Sequence, residues 1–107
     1  MKFIEGGVCA PAGFTANGVH CGFRMNRSKR DLSLIASEVR CAAAATYTTN
    51  KVKGAPLEVT RAHLADGHAQ VIICNSGNAN TCNANGVEIA EQTSQLLARE
   101  MGISPDD

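Results

Sequence analysis

The most continuous apolar run in the chain is AQVIICN (69–75), which predicts a buried strand entering a polar loop. LSLIASEV (32–39) alternates imperfectly, with Leu32, Leu34, Ala36 and Glu38 on one side and Ser33, Ile35, Ser37 and Val39 on the other. That pattern predicts a second strand, covered on both faces. Ile89, Thr93, Leu96-Leu97 and Met101 recur at helical spacing. The helix they predict starts at Asn85, with Asn85 and Glu88 as a reciprocal cap, and stops at Gly102. Pro56 opens a shorter helix through Leu57, Val59-Thr60 and Leu64 up to Gly67. CAAAATYTT (41–49) mixes helix-forming alanines with strand-forming Thr46-Tyr47-Thr48-Thr49, and the reading is a strand in a tightly packed sheet. Residues 1–23 are rich in glycine and read as turns, with a hairpin through FTANGVHCGF that turns at Asn17-Gly18.

Composition narrows the class. With 107 residues the chain is one domain-sized piece, 1–107, without an internal boundary, repeat or low-complexity tract. Sixteen alanines and only four aromatic residues make a core that buries little area, so the chain reads as part of a larger assembly. Ten basic and ten acidic residues cancel, which argues against a protein held to nucleic acid by bulk charge. Up to Arg61 there are nine basic and four acidic residues, and from Ala62 onward one basic and six acidic. There is no apolar run of about 18 residues to span a membrane. The opening MKFIEGG lacks the pattern of a secretory leader, so a cytoplasmic location is expected.

Candidate chemistry is sparse. Cys9, Cys21, Cys41, Cys74 and Cys82 are odd in number and form no C-x-x-C, so they read as free thiols rather than disulfides or metal ligands. Cys74 and Cys82 assemble a site with His63 or His68 only on paper. The same holds for Asp31, Ser33 and His63 as a triad, which lack a local signature such as G-x-S-x-G. RMNRSKRD (24–31) carries four cations and reads as an exposed loop, with an anion patch as the functional alternative. The loop NSGNANTCNANG (75–86) holds five of the eight asparagines and sits between a strand and a helix. Amides there converge on a helix start that favours negative charge, and Asn75, Asn78 and Asn80 are the substrate-binding candidates. The opposing reading is that asparagines simply hold the loop's shape. No catalytic residue, metal ligand or cofactor is expected in the chain.

GGVCAPAGFTANGVHCGF, KRDLSLIASEV, CAAAATYTTNKVKGAPLEVTRAHL and AQVIICNSGNANTCNANG occur in an order that resembles the N-terminal part of the ornithine acetyltransferase family. These are glutamate N-acetyltransferases of the cyclic arginine pathway, and the resemblance covers essentially all of the chain. It implies an α/β fold with mixed strands, part of an αββα sandwich in which two stacked β-sheets lie between helical layers. It also implies a self-cleaving precursor whose β subunit starts with a threonine nucleophile. That threonine takes acetyl from N2-acetylornithine and passes it to glutamate; some members also accept acetyl-CoA. Ala45-Thr46 does not match the family's cleavage context, and its oxyanion pair falls beyond Asp107. The chain is therefore expected to be an α-subunit segment, inactive alone, whose partners are the remainder of the α subunit and the β subunit in a hetero-oligomer. The other class is a small anion-binding or assembly domain that uses the asparagine loop.

Overall fold

A computed structural model describes all 107 residues. In chain order it contains strand β1 (Phe14–Val19), strand β2 (Leu32–Ala42), helix α1 (Pro56–His63), strand β3 (His68–Asn75) and helix α2 (Gly86–Met101). The strands form one sheet in the order β1-β2-β3, with β1 and β3 at its edges. β1 and β2 are antiparallel, in a register running from Phe14↔Ser37 to Val19↔Leu32. Bonds from Ser76 N–H to the Asp31 carbonyl (2.8 Å) and from Gln70 Nε2 to the Ser37 carbonyl (3.1 Å) show β3 antiparallel to β2 as well.

The chain divides into two compact units, each assembled from two stretches of sequence: Met1–Cys41 with Gln70–Asn78, and Ala42–Ala69 with Ala79–Asp107. The first holds most of the sheet. Its β2 bends sharply beyond Ser37, since Ser37 Oγ lies 3.1 Å from Cys41 Sγ. Four residues of extended strand would separate those two positions by about 13 Å. The bend coincides with the end of the β1–β2 register, where Glu38 N–H closes on the Gly13 carbonyl at 2.9 Å.

The second unit is built on α1 and α2. Pro56 begins α1, where its missing N–H would have had no partner anyway. A short 3-10 turn, Leu64–Asp66, follows it, and left-handed Gly67 ends the segment. Ala55 Cβ lies so near Gly86 that a Cβ on that glycine would come within 2.7 Å of it. Small residues therefore set how closely the two helix starts approach. Left-handed Gly102 ends α2, and the Ile103 N–H bonds back to the Ala98 carbonyl.

Several sequence expectations are corrected. Asn17-Gly18 is no turn: both residues lie inside β1, opposite Leu34 and Ser33. Residues 43–49 form no strand; they run irregularly, with Tyr47 half-buried under the Arg61 guanidinium at 4.7 Å. The middle of β2 is half-buried on both faces, but coverage is incomplete within this chain: Val39 on β2 is 65% exposed and Ile72 on β3 55%. On α2 the apolar stripe is only partly packed. Leu97 and Thr93 are half-buried, whereas Ile89, Leu96 and Met101 are exposed. Asn85 makes no side-chain capping bond, and Glu88 pairs instead with Gln92 at 3.3 Å. Only Val59 and Ala98 are buried apolar residues, one on each helix.

Candidate functional site

Asp31 ends the basic run and enters β2, and its side chain is fully buried. Its carboxylate accepts backbone N–H bonds from Cys21 (2.7 Å), Gly22 (3.2 Å) and Arg24 (2.9 Å), together with the Cys21 thiol (3.3 Å). His20 Nδ1 lies 3.1 Å from Oδ2 and 3.0 Å from the Lys29 carbonyl. A buried carboxylate without partners is costly, so the loop 20–24 wraps around it to supply donors. Burial raises the carboxyl's pKa. The amides of Cys21 and Arg24, the thiol and the neighbouring imidazole outweigh that and hold it well below the usual carboxylate range.

The main chain of Asp31 extends the same anchor to the start of the asparagine loop. Its carbonyl accepts the Ser76 N–H at 2.8 Å, and Arg24 Nε donates to Ser76 Oγ at 3.0 Å. Gly77, at φ +92°, sits directly against the Phe23 carbonyl, where a Cβ would come within 2.8 Å of that oxygen. One buried carboxylate thus fixes the basic loop and residues 76–77 together.

Cys21 shows what this anchor excludes. Burial of its sulfur, its bond to Asp31 and the carboxylate's negative charge all push the thiol up, against a smaller opposing effect of backbone N–H groups. A thiol held protonated at neutral pH is a poor nucleophile. The triad sketched from the sequence also fails. Asp31 is committed to amides, Ser33 Oγ bonds the Cys74 carbonyl, and His63 faces Glu91 (3.3 Å) and Asp106 (3.7 Å). No three His, Cys, Asp or Glu side chains are placed to hold a metal ion.

The three loop asparagines fall in different settings. Asn75 ends β3 half-buried and Asn78 is exposed, both in the first unit. Asn80 belongs to the second, where it adopts left-handed φ 54° and its carbonyl accepts the Ala55 N–H at 2.9 Å. A Cβ on Gly54 would meet the Ala79 and Asn80 carbonyl oxygens at 3.7 Å. Cys82, also left-handed at φ 59°, continues this tight path toward α2. Asn80 is therefore a main-chain latch on the entry to α1. The sequence did not single out Asp31 as the organising residue, because its donors are backbone amides and leave no residue-type signature.

The 24–31 segment is exposed up to Asp31, as expected of a basic loop, and Asn26 Oδ1 organises its tip by accepting from Ser28 N–H (3.0 Å) and Oγ (2.7 Å). No helix is long and apolar enough to cross a membrane.

The ArgJ family model matches residues 15–107. The arginine biosynthesis bifunctional protein ArgJ of Symbiobacterium thermophilum is 44% identical over 108 residues, covering 99% of this chain and 27% of that protein. The protein of the same name from Streptococcus thermophilus is 41% identical at the same coverage. Among solved structures, ArgJ from Bacillus halodurans superposes with a TM-score of 0.83 at 37% identity, over 89% of this chain and 50% of that one. Ornithine acetyltransferase from Mycobacterium tuberculosis, complexed with ornithine, gives 0.79 at 37% identity over 87% and 49%. The chain thus spans 27% of the length of the two ArgJ relatives.

Proposed function

Because the chain belongs to the ArgJ family, we propose that it is the N-terminal scaffold of an enzyme that moves acetyl from N2-acetylornithine to glutamate in arginine biosynthesis. The observation that carries this reading is 44% identity sustained over 99% of the chain. The chemistry of the chain itself supports a scaffold role. Its one anchored acid accepts amides and its neighbouring thiol is held protonated, which fits a nucleophile supplied from elsewhere. In this proposal that group is the N-terminal threonine of a β subunit. Its hydroxyl attacks the acetyl carbonyl of N2-acetylornithine, ornithine departs, and the amine of glutamate then takes the acetyl from the acetyl-enzyme. Acetyl-CoA serves as a further donor where the complete enzyme admits it.

The exposed apolar side chains fit a piece of a larger body. Ile72 on β3, Val39 on β2 and Ile89 and Leu96 on α2 are all about half exposed or more. In the proposed αββα sandwich, the second sheet and the remaining α- and β-subunit segments of a hetero-oligomer cover these groups. Burying the exposed half of one such side chain contributes about 0.8–1.5 kcal/mol.

The test is acetyl transfer measured by the chain alone and by the chain joined to the rest of an ArgJ polypeptide. Turnover is expected only in the second, and turnover by the purified chain alone would overturn the scaffold reading. Asn75, Asn78 and Asn80 are proposed to border the substrate site. Asn78→Ala in the complete enzyme is expected to fold normally and lower turnover by up to about 10²-fold through misplacement. Asn26→Ala should leave turnover unchanged. Normal kinetics with only a lowered Tm for Asn78→Ala would make the loop structural.

A further inference from the structure

The chain contains two Asn-Gly pairs, Asn17-Gly18 and Asn85-Gly86. With no Cβ on the following residue, its amide nitrogen is open to the asparagine side chain. The structure treats the two pairs differently, and we propose that Asn17 is a site of spontaneous intramolecular deamidation whereas Asn85 is protected.

Asn17 is exposed, and its Oδ1 already lies 2.7 Å from the Gly18 amide nitrogen, which donates to it. The side-chain carbonyl and the nucleophilic nitrogen are therefore brought together in the folded state. A strand normally suppresses this reaction by tying the amide into the ladder, but β1 is an edge strand. Glu38 N–H bonds the Gly13 carbonyl, and antiparallel pairs alternate between bonded and non-bonded positions. In that alternation Gly18 points its N–H away from β2. At the second pair, Gly86 N–H donates to the Asn83 carbonyl at 3.2 Å as α2 begins, so ring closure must first open a main-chain bond to another residue, whereas the Gly18 N–H is held only by the side chain its nitrogen attacks.

The chemistry needs only water. The Gly18 amide gives up its proton, and its nitrogen bonds to Asn17 Cγ. The Cγ–Nδ2 bond breaks, and Nδ2 takes up that proton and leaves as ammonia. Water then adds to either carbonyl of the five-membered imide, the bond from that carbonyl carbon to the Gly18 nitrogen breaks, and the nitrogen takes a proton from the water, giving aspartate or iso-aspartate at position 17. The iso-aspartate product carries an extra backbone methylene ahead of Gly18. It would displace the pairs Gly18↔Ser33 and Val19↔Leu32 and the bond from Asp31 N–H to the Val19 carbonyl at 2.9 Å. Ageing at this one amide would thus loosen the strand that leads into the Asp31 anchor.

The experiment incubates the folded chain at neutral and mildly alkaline pH, then maps both sites by peptide mass spectrometry with separation of the iso-aspartyl form. Conversion at position 17 is expected about tenfold faster than at position 85, the factor one opened hydrogen bond supplies. In denaturant the two rates should converge. Asn17→Gln should abolish the product. Gly18→Ala should slow it and still fold: the added Cβ meets the movable Arg30 Cδ at 3.3 Å and the Leu32 carbonyl oxygen at an ordinary contact distance of 3.4 Å. Circular dichroism on each variant checks that the sheet is kept. Equal rates at the two sites in the folded chain, or faster conversion at Asn85, would overturn the proposal.

Discussion

Replacing Gly77 by alanine should destabilise the first unit more than its backbone conformation alone explains. Gly77 has φ +92°, and Gly22 in the same unit has φ +102°. Alanine in this region costs about 1–2 kcal/mol through its Cβ at either position. Around Gly22 nothing lies within 4 Å of the new atom, so Gly22→Ala isolates that conformational cost. At Gly77 the Cβ would stand 2.8 Å from the Phe23 carbonyl oxygen, 2.9 Å from Arg24 Cγ and 3.0 Å from the Phe23 carbonyl carbon. The Phe23–Arg24 peptide cannot swing aside, because its N–H is held by Asp31 at 2.9 Å. Overpacking of this kind adds about 1–3 kcal/mol, for a total near 2–5 kcal/mol. With a urea slope of about 2 kcal/mol/M, the midpoint should fall by roughly 1–2.5 M, against about 0.5–1 M for Gly22→Ala. Far-UV circular dichroism follows both transitions. Amide exchange at Ser76, whose N–H bonds the Asp31 carbonyl, should accelerate only in the Gly77 variant. Equal midpoints for the two variants, with Ser76 exchange unchanged, would refute a Gly77–Phe23 contact.

Gly86→Ala tests helix packing: in an open helix the change gains up to about 1 kcal/mol, but the 2.7 Å approach to Ala55 Cβ should reverse the sign and lower Tm. A raised Tm would show that the two helix starts are not in contact. Asp31→Asn should destabilise the chain and flatten its acid limb. Because the folded carboxyl is held below its unfolded value of about 4, its contribution is complete above that pH and is lost as pH falls through the folded value. Denaturation midpoints across the acid range would show an unchanged slope if Asp31 were not the anchor. All five cysteines should alkylate without prior reduction, with Cys21 slowest at neutral pH because its thiol is pushed up. An intact disulfide in the mass spectrum, or Cys21 reacting first, would contradict this.

Much of what the sequence determined is local chemistry. Pro56 can sit only in the first turn of α1, and Gly102 readily takes the left-handed conformation that ends α2. The two strand patterns and both helices need nothing beyond neighbouring residues to be read, and the succession of blocks identified the family. What tertiary structure decided lies where a distant partner outweighs a local preference. Asn17-Gly18 has the composition of a tight turn, yet pairing with Leu34 and Ser33 draws it into β1. Residues 43–49 have strand formers but no neighbouring strand, so they stay irregular. The apolar side of α2 is visible in its periodicity. Which part packs was decided by the close approach of Ala55 to Gly86, leaving Ile89 and Leu96 exposed. Asp31 is the clearest case. One aspartate at the end of a basic run looks like a counter-charge, and only folding brings three backbone amides around its carboxylate and Ser76 onto its carbonyl. Backbone donors belong to every residue alike, so their convergence is a property of the fold and leaves no mark in the sequence.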